Sequence, residues 1–155
     1  MNSNLHATVP VNVAVSEDVL KKIREHVLCG YPGEVCGILL GNIEVITAGT
    51  VDISDYVPLD NTVRGDATHK SFLVDSLEFY QMERQWLDKK RLVAGFCHSH
   101  PDCRAVPSQA DVTAMIPGLV YLIVSVTDGH VMQPRGWHKK NTGNYTQELT
   151  VTVNR

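Results

Sequence analysis

Four residues within HSHPDCRAVPSQAD (98–111) have the types and spacing for metal chemistry: His98, His100, Ser108 and Asp111. Imidazole nitrogen and carboxylate oxygen are donors that zinc takes at about 2.0–2.2 Å. If His98 and His100 close a strand, their side chains share one face and Ser99 takes the other. Ser108 and Asp111, three apart, share a face of a helix. The loop 101–107 has a proline at each end. It can fold the helix start back to the strand end, placing Asp111 beside the imidazoles with the Ser108 hydroxyl nearby. Two histidines and one carboxylate, with a fourth position for water, is the ligand count of a catalytic zinc site; a structural site takes four protein ligands.

Each piece has a plainer reading. An HxH pair is commonly two solvated or core histidines. Ser-x-x-Asp after Pro107 is how a capped helix start is spelled. The combined pattern HxH-x7-SxxD should arise by chance in about one sequence per thousand at this composition, which favours the metal. A zinc-bound water also needs a base, and the chain has no HExxH. The candidate is Glu34, opening the apolar run EVCGILLG (34–41). A carboxylate there costs free energy without a partner or a task; the alternative is a solvated residue at the strand mouth. Cys103, three residues past His100, could reach the same metal as a redox-sensitive plug. A plain loop thiol is the simpler reading.

The elements that must position these groups are legible in outline. Alternation over 9–15 predicts a strand, and Ser16 caps a helix to about Cys29 with Glu17 and Asp18 in its first turn. Val19, Leu20, Ile23, Val27 and Leu28 form its apolar face. Strands are expected over 34–41, 44–57, 72–74, 92–100 and 119–126, with a polar loop at 58–71 that contains His69. Asp75 should cap a second helix to about Lys90, and a third, short helix spans about 108–116. Asp128-Gly129 and 141–144 read as turns between the last strands. The outcome is a mixed α/β domain of about eight short strands and three helices.

The bulk properties exclude several function classes. With 155 residues, 43% hydrophobic and 20% charged, the chain suits one domain over 1–155 with a real core. A net charge of -3 without a basic block argues against nucleic acid and anionic membrane as partners. The N-terminus lacks a signal-peptide pattern, and the most apolar run, 119–126, is too short for a spanning helix. A cytoplasmic setting is expected, with Cys29, Cys36, Cys97 and Cys103 as free thiols, mostly buried.

Glu34 in EVCGILLG, then His98-Ser99-His100-Pro101, then Ser108 and Asp111, together resemble the JAMM (MPN-plus) zinc metalloprotease family across nearly the whole chain. The resemblance implies a single-domain α/β fold, cytidine-deaminase-like: a curved mixed β-sheet flanked by helices, with zinc at one edge. It implies His98, His100 and Asp111 as Zn2+ ligands, Glu34 as general acid/base and Ser108 as a stabiliser of the oxyanion. Short members of this type resemble peptidases of ubiquitin-like sulfur-carrier proteins, which cut after the carrier's C-terminal Gly-Gly. They release C-terminal residues or an amino acid such as cysteine. Strand addition is then a natural way to hold the extended tail. Two other readings stay open: a non-catalytic MPN-type scaffold or binding module, and a zinc amidohydrolase of phage-tail or cell-wall type.

Overall fold

In a computed structural model of the chain, the described residues are 9–42, 49–59, 76–141 and 143–154. The expectations for 44–48, 60–75 and Thr142, including the strand at 72–74, the Asp75 cap and His69, lie outside them. Strand β1 (Asn12–Ser16) leads into helix α1 (Glu17–Gly30). Strands β2 (Cys36–Asn42), β3 (Thr50–Ile53) and β4 (Asp55–Pro58) precede helix α2 (Ser76–Leu87). Strand β5 (Arg91–Pro101), helix α3 (Gln109–Ala114), β6 (Val120–Thr127), β7 (His130–Val131), β8 (Arg135–Lys139) and β9 (Thr146–Asn154) complete the chain.

Helix α1 begins where its sequence dictates. The Ser16 hydroxyl accepts the Val19 N–H at 3.2 Å, and Glu17 and Asp18 occupy the first turn. Val19, Leu20, Ile23 and Val27 are buried, as expected of the apolar stripe. Leu28 is not; it is 42% exposed. At 3.6 residues per turn it falls about 125° from the centre of that stripe, on the solvent side. Helix α2 ends at Leu87 rather than Lys90, because the chain turns there and Lys90 takes φ 58. The strand expected over 44–57 is, in its described part, two strands broken at Ser54.

The strands form one mixed sheet in the order β3-β1-β9-β8-β6-β5-β2-β4, with β7 beside β6. The pairs β1·β3, β1·β9 and β5·β6 are parallel and the others antiparallel. The two ends of this order, β3 and β4, are joined through Ser54 alone. Ser54 donates its N–H to the Leu40 carbonyl on β2 at 2.7 Å. The sheet therefore curls until its edge strands meet beside β2. On one face α1 packs with Val13, Leu39, Cys97, Leu122 and Val124. Lys22 pairs with Asp55 at 2.6 Å, and His26 Nδ1 lies 2.6 Å from the Tyr56 hydroxyl, so α1 is fastened to β4 as well. On the other face Ile38, Val93, Phe96, Tyr121, Ile123 and Trp137 pack with Phe79, Met82 and Trp86 of α2.

Candidate metal centre

Strand β5 carries both histidines near its C-terminal end. In register, Cys36 of β2 and Ile123 of β6 flank His98. Both belong to the α2 face, so His98 and, two residues on, His100 point to that face. Both are 8% exposed. Cys97 lies in the α1-face core, as expected. Of the remaining thiols, Cys36 is buried, while Cys29 and Cys103 are exposed.

The loop after β5 is fastened at four places, and this brings α3 back to the strand end. The Asp102 N–H donates to the Val126 carbonyl at 2.7 Å. Ser125 Oγ donates to the Cys103 carbonyl at 2.6 Å. Trp137 Nε1 donates to the Ala105 carbonyl at 3.1 Å. His100 Nδ1 lies 2.8 Å from the Arg104 carbonyl. A carbonyl can only accept, so Nδ1 carries a proton, and on the neutral ring Nε2 keeps its lone pair facing inward.

Helix α3 opens on a reciprocal cap. Ser108 Oγ accepts the Asp111 N–H at 3.0 Å, and Asp111 Oδ2 accepts the Ser108 N–H at 2.9 Å. The same Oδ2 lies 3.3 Å from His98 Nε2 and 3.2 Å from His100 Nε2, and the two Nε2 atoms are 3.2 Å apart. The helix cap and the metal cluster, weighed as rival readings of Ser-x-x-Asp, are thus one arrangement. Among the described residues, His98, His100 and Asp111 are the one group of three or more His, Cys, Asp or Glu side chains that could hold a metal ion.

The donor set fits a divalent cation. Tetrahedral ligands at about 2.0–2.1 Å from an ion stand about 3.3 Å from one another, which matches all three observed separations. The electrostatics agree. Burial would lower the His100 pKa, but hydrogen bonds to Asp111 and Arg104, with the charges of Asp111 and Glu34, outweigh it and leave the pKa raised. Burial would raise the Asp111 pKa. Hydrogen bonds from His100 and His98, the His98 charge and the Ser108 N–H instead hold the carboxyl well below the usual carboxylate range. Three buried donors compete for positive charge at one point.

Glu34 stands two residues before β2, not within it, and is partly buried. Its charge is the smallest of the influences that raise the His100 pKa. Ser108 is exposed, and its oxygen is engaged as acceptor by the cap, so its O–H is free to turn outward. Cys103 is exposed on the loop and does not join the three candidate ligands. One residue escaped the sequence reading. Ser99, between the histidines, is fully buried on the α1 face, and its Oγ accepts the Val35 N–H at 2.9 Å. The signal was available: a hydroxyl aimed into a core must find a partner.

Comparison with known proteins shows the family and the fold. The family of prokaryotic homologues of the JAB domain (Prok-JAB) matches residues 16–138. A desampylase from Haloferax volcanii is 31% identical over 138 residues, covering 88% of this chain and 90% of the relative. The solution structure of a Salinibacter ruber protein superposes with TM-score 0.67 at 27% identity, covering 91% of each chain. Two more distant structures share the fold. A Desulfitobacterium hafniense protein has TM-score 0.73 at 23% identity, over 92% of this chain and 93% of its own. A JAB1/MPN-domain protein from Archaeoglobus fulgidus has TM-score 0.56 at 17% identity, over 92% and 99%.

Proposed function

We propose, since the chain belongs to the Prok-JAB family, the prokaryotic branch of the JAMM/MPN fold, that it is a zinc-dependent isopeptidase acting on a ubiquitin-like protein. The scissile bond follows the Gly-Gly at the C-terminus of that protein, and a sulfur-carrier member of the ubiquitin-like class is the substrate we favour. The observation that carries the reading is the triad of donor atoms, His98 Nε2, His100 Nε2 and Asp111 Oδ2, at 3.2–3.3 Å from one another. The desampylase relative supports the substrate class.

His98, His100 and Asp111 would hold the ion. Bound zinc supplies Lewis acidity and brings the pKa of a water towards about 7. Glu34 accepts the proton of the attacking water and returns it to the leaving amine. The outward Ser108 hydroxyl donates to the oxygen on which negative charge develops, a contribution typically worth about 10²–10³ in rate. The His100–Arg104 bond keeps the imidazole in the tautomer that presents Nε2.

Substitution of Glu34 by Gln tests the assignment. Glu34→Gln is expected to bind zinc as the unaltered protein does and to lose at least about 10²-fold in turnover. The substrate is a ubiquitin-like protein whose C-terminal Gly-Gly carries a lysine-linked peptide, followed by mass spectrometry. Retained turnover in that variant removes Glu34 from the mechanism. Absence of turnover in the zinc-loaded, unaltered protein on this substrate removes the activity itself.

A further inference from the structure

The glutamate must be held against the histidines, yet it lies in the irregular segment between α1 and β2. Two ties fasten that segment, one on each side of Glu34. Ser99 Oγ accepts the Val35 N–H at 2.9 Å, and the Ser99 N–H donates to the Val35 carbonyl at 3.0 Å. Both backbone groups of Val35 are therefore bonded to the residue between His98 and His100. On the other side, the Tyr31 O–H donates to Asp102 Oδ1 at 2.9 Å. Asp102 is two residues past His100 and is itself anchored by its N–H on the Val126 carbonyl.

The geometry points to Ser99 and Tyr31 as positioning residues that set the Glu34 carboxylate relative to the histidine pair. The inference rests on the general acid/base role proposed for Glu34. Ser99 cannot touch substrate, because it is fully buried on the face opposite the histidines. Its Oγ accepts the backbone N–H of the residue next to the glutamate, a bond that alanine at 99 could not make. Proton transfer needs the base within hydrogen-bond reach of the water, and a displacement of about 1 Å can cost about 10²-fold in rate. Holding Glu34 from the strand that carries the candidate ligands makes the two parts move as one.

The test uses the full chain as Ser99→Ala, Ser99→Thr and Tyr31→Phe, with two readouts. In the metal-free protein, amide exchange at Val35 is expected to quicken at least about tenfold in Ser99→Ala. In the zinc-loaded protein, on the lysine-linked substrate, kcat is expected to fall about 10- to 100-fold in that variant, with KM and zinc affinity within about threefold of wild type. Ser99→Thr restores the hydroxyl and should recover most of both. Tyr31→Phe removes one exposed hydroxyl and should lower kcat with KM and zinc affinity unchanged, so it carries the test if Ser99→Ala does not fold. Full kcat in a folded Ser99→Ala or in Tyr31→Phe overturns the inference for that residue. So does a loss of zinc affinity in step with kcat, which would place the effect on the ligands. An active Glu34→Gln would instead defeat the acid/base assignment, while the Val35 exchange rate still reports whether Ser99 holds the segment.

Discussion

Asp111 does two things with one oxygen. Oδ2 closes the α3 cap by accepting the Ser108 N–H, and it stands within 3.3 Å of both imidazoles. The cap fixes the carboxylate's rotamer, and the fixed carboxylate completes the donor triangle. Asp111→Ala should therefore lose zinc to a mild chelator that leaves the unaltered protein loaded; it also removes the acceptor of the Ser108 N–H, while the bond from the residue 111 N–H to Ser108 Oγ remains. The pH dependence follows from the same atoms. In the metal-free protein the His100 pKa is raised, so its stabilisation is complete below an imidazole's ordinary value of about 6.5 and fades as pH rises through the raised one. The Asp111 pKa is lowered, so its stabilisation is complete above about 3.9 and fades as pH falls through the lowered one. The two contributions coincide between about pH 4 and 6.5, where the metal-free protein should melt highest. Zinc requires unprotonated imidazoles, so its stabilisation should grow from about pH 6 to 8. Thermal melts across this range, with and without zinc, read both trends. A zinc effect that is flat in pH would exclude His98 and His100 as ligands. At this scale the sequence was informative, since donor type and spacing are local. Ser99 was placed on the right face but given no task, because its partner Val35 is sixty-four residues away.

The faces on which those residues lie are decided by an irregularity in β5. Leu39 of β2 pairs with Gly95 and Leu40 with Val93, so Ala94 is an extra residue, a β-bulge. Val93 and Phe96 consequently share the α2 face, while Ala94 and Cys97 share the α1 face. Without the bulge a histidine at 98 would lie opposite the face of Val93 rather than on it. Gly95, beside the bulge, lets β5 approach β6 closely. A Cβ there would lie 1.7 Å from the Val120 carbonyl oxygen on β6. Gly95→Ala should thus cost at least about 1–3 kcal/mol in urea unfolding, since β5 and β6 must separate to admit it. A neutral result would mean that the strand pair carrying the histidines is not tightly registered. Periodicity identified β5, β6 and α1 because each has a strong apolar pattern. It read 92–100 as a plain strand and missed the bulge, although an isolated Gly in a strand is a recognised sign of one. Leu28 is as apolar as its neighbours in α1, but its angle puts it on the solvent side, so composition alone does not separate it from the stripe.

At the scale of the molecule, the cluster joins parts that sequence separates. His98 and His100 end a central strand buried on both faces, whereas Asp111 belongs to a six-residue helix. A helix that short has little stability of its own. Its described ties to the sheet include the Trp137–Ala105 bond before it and the Tyr121 hydroxyl, which accepts the Ile116 N–H after it. The curling that brings β3 and β4 together at Ser54 was illegible, because it depends on pairings between remote strands and not on any local pattern. An ion that binds only the folded cluster stabilises the whole chain by linkage, about 2.7 kcal/mol at a free concentration one hundred times Kd. For a chain of this size that corresponds to a rise in Tm of about 5–11 °C. Asp111→Ala should abolish most of it. The effect should also be uneven. With zinc bound, amide exchange should slow most across 101–114, where the ion fastens α3 to β5, and least at β1 and β9 on the distant side of the sheet. Unchanged exchange at 109–114 in the zinc-loaded protein would show that Asp111 does not hold the ion, and the two-histidine, one-carboxylate centre would have to be abandoned.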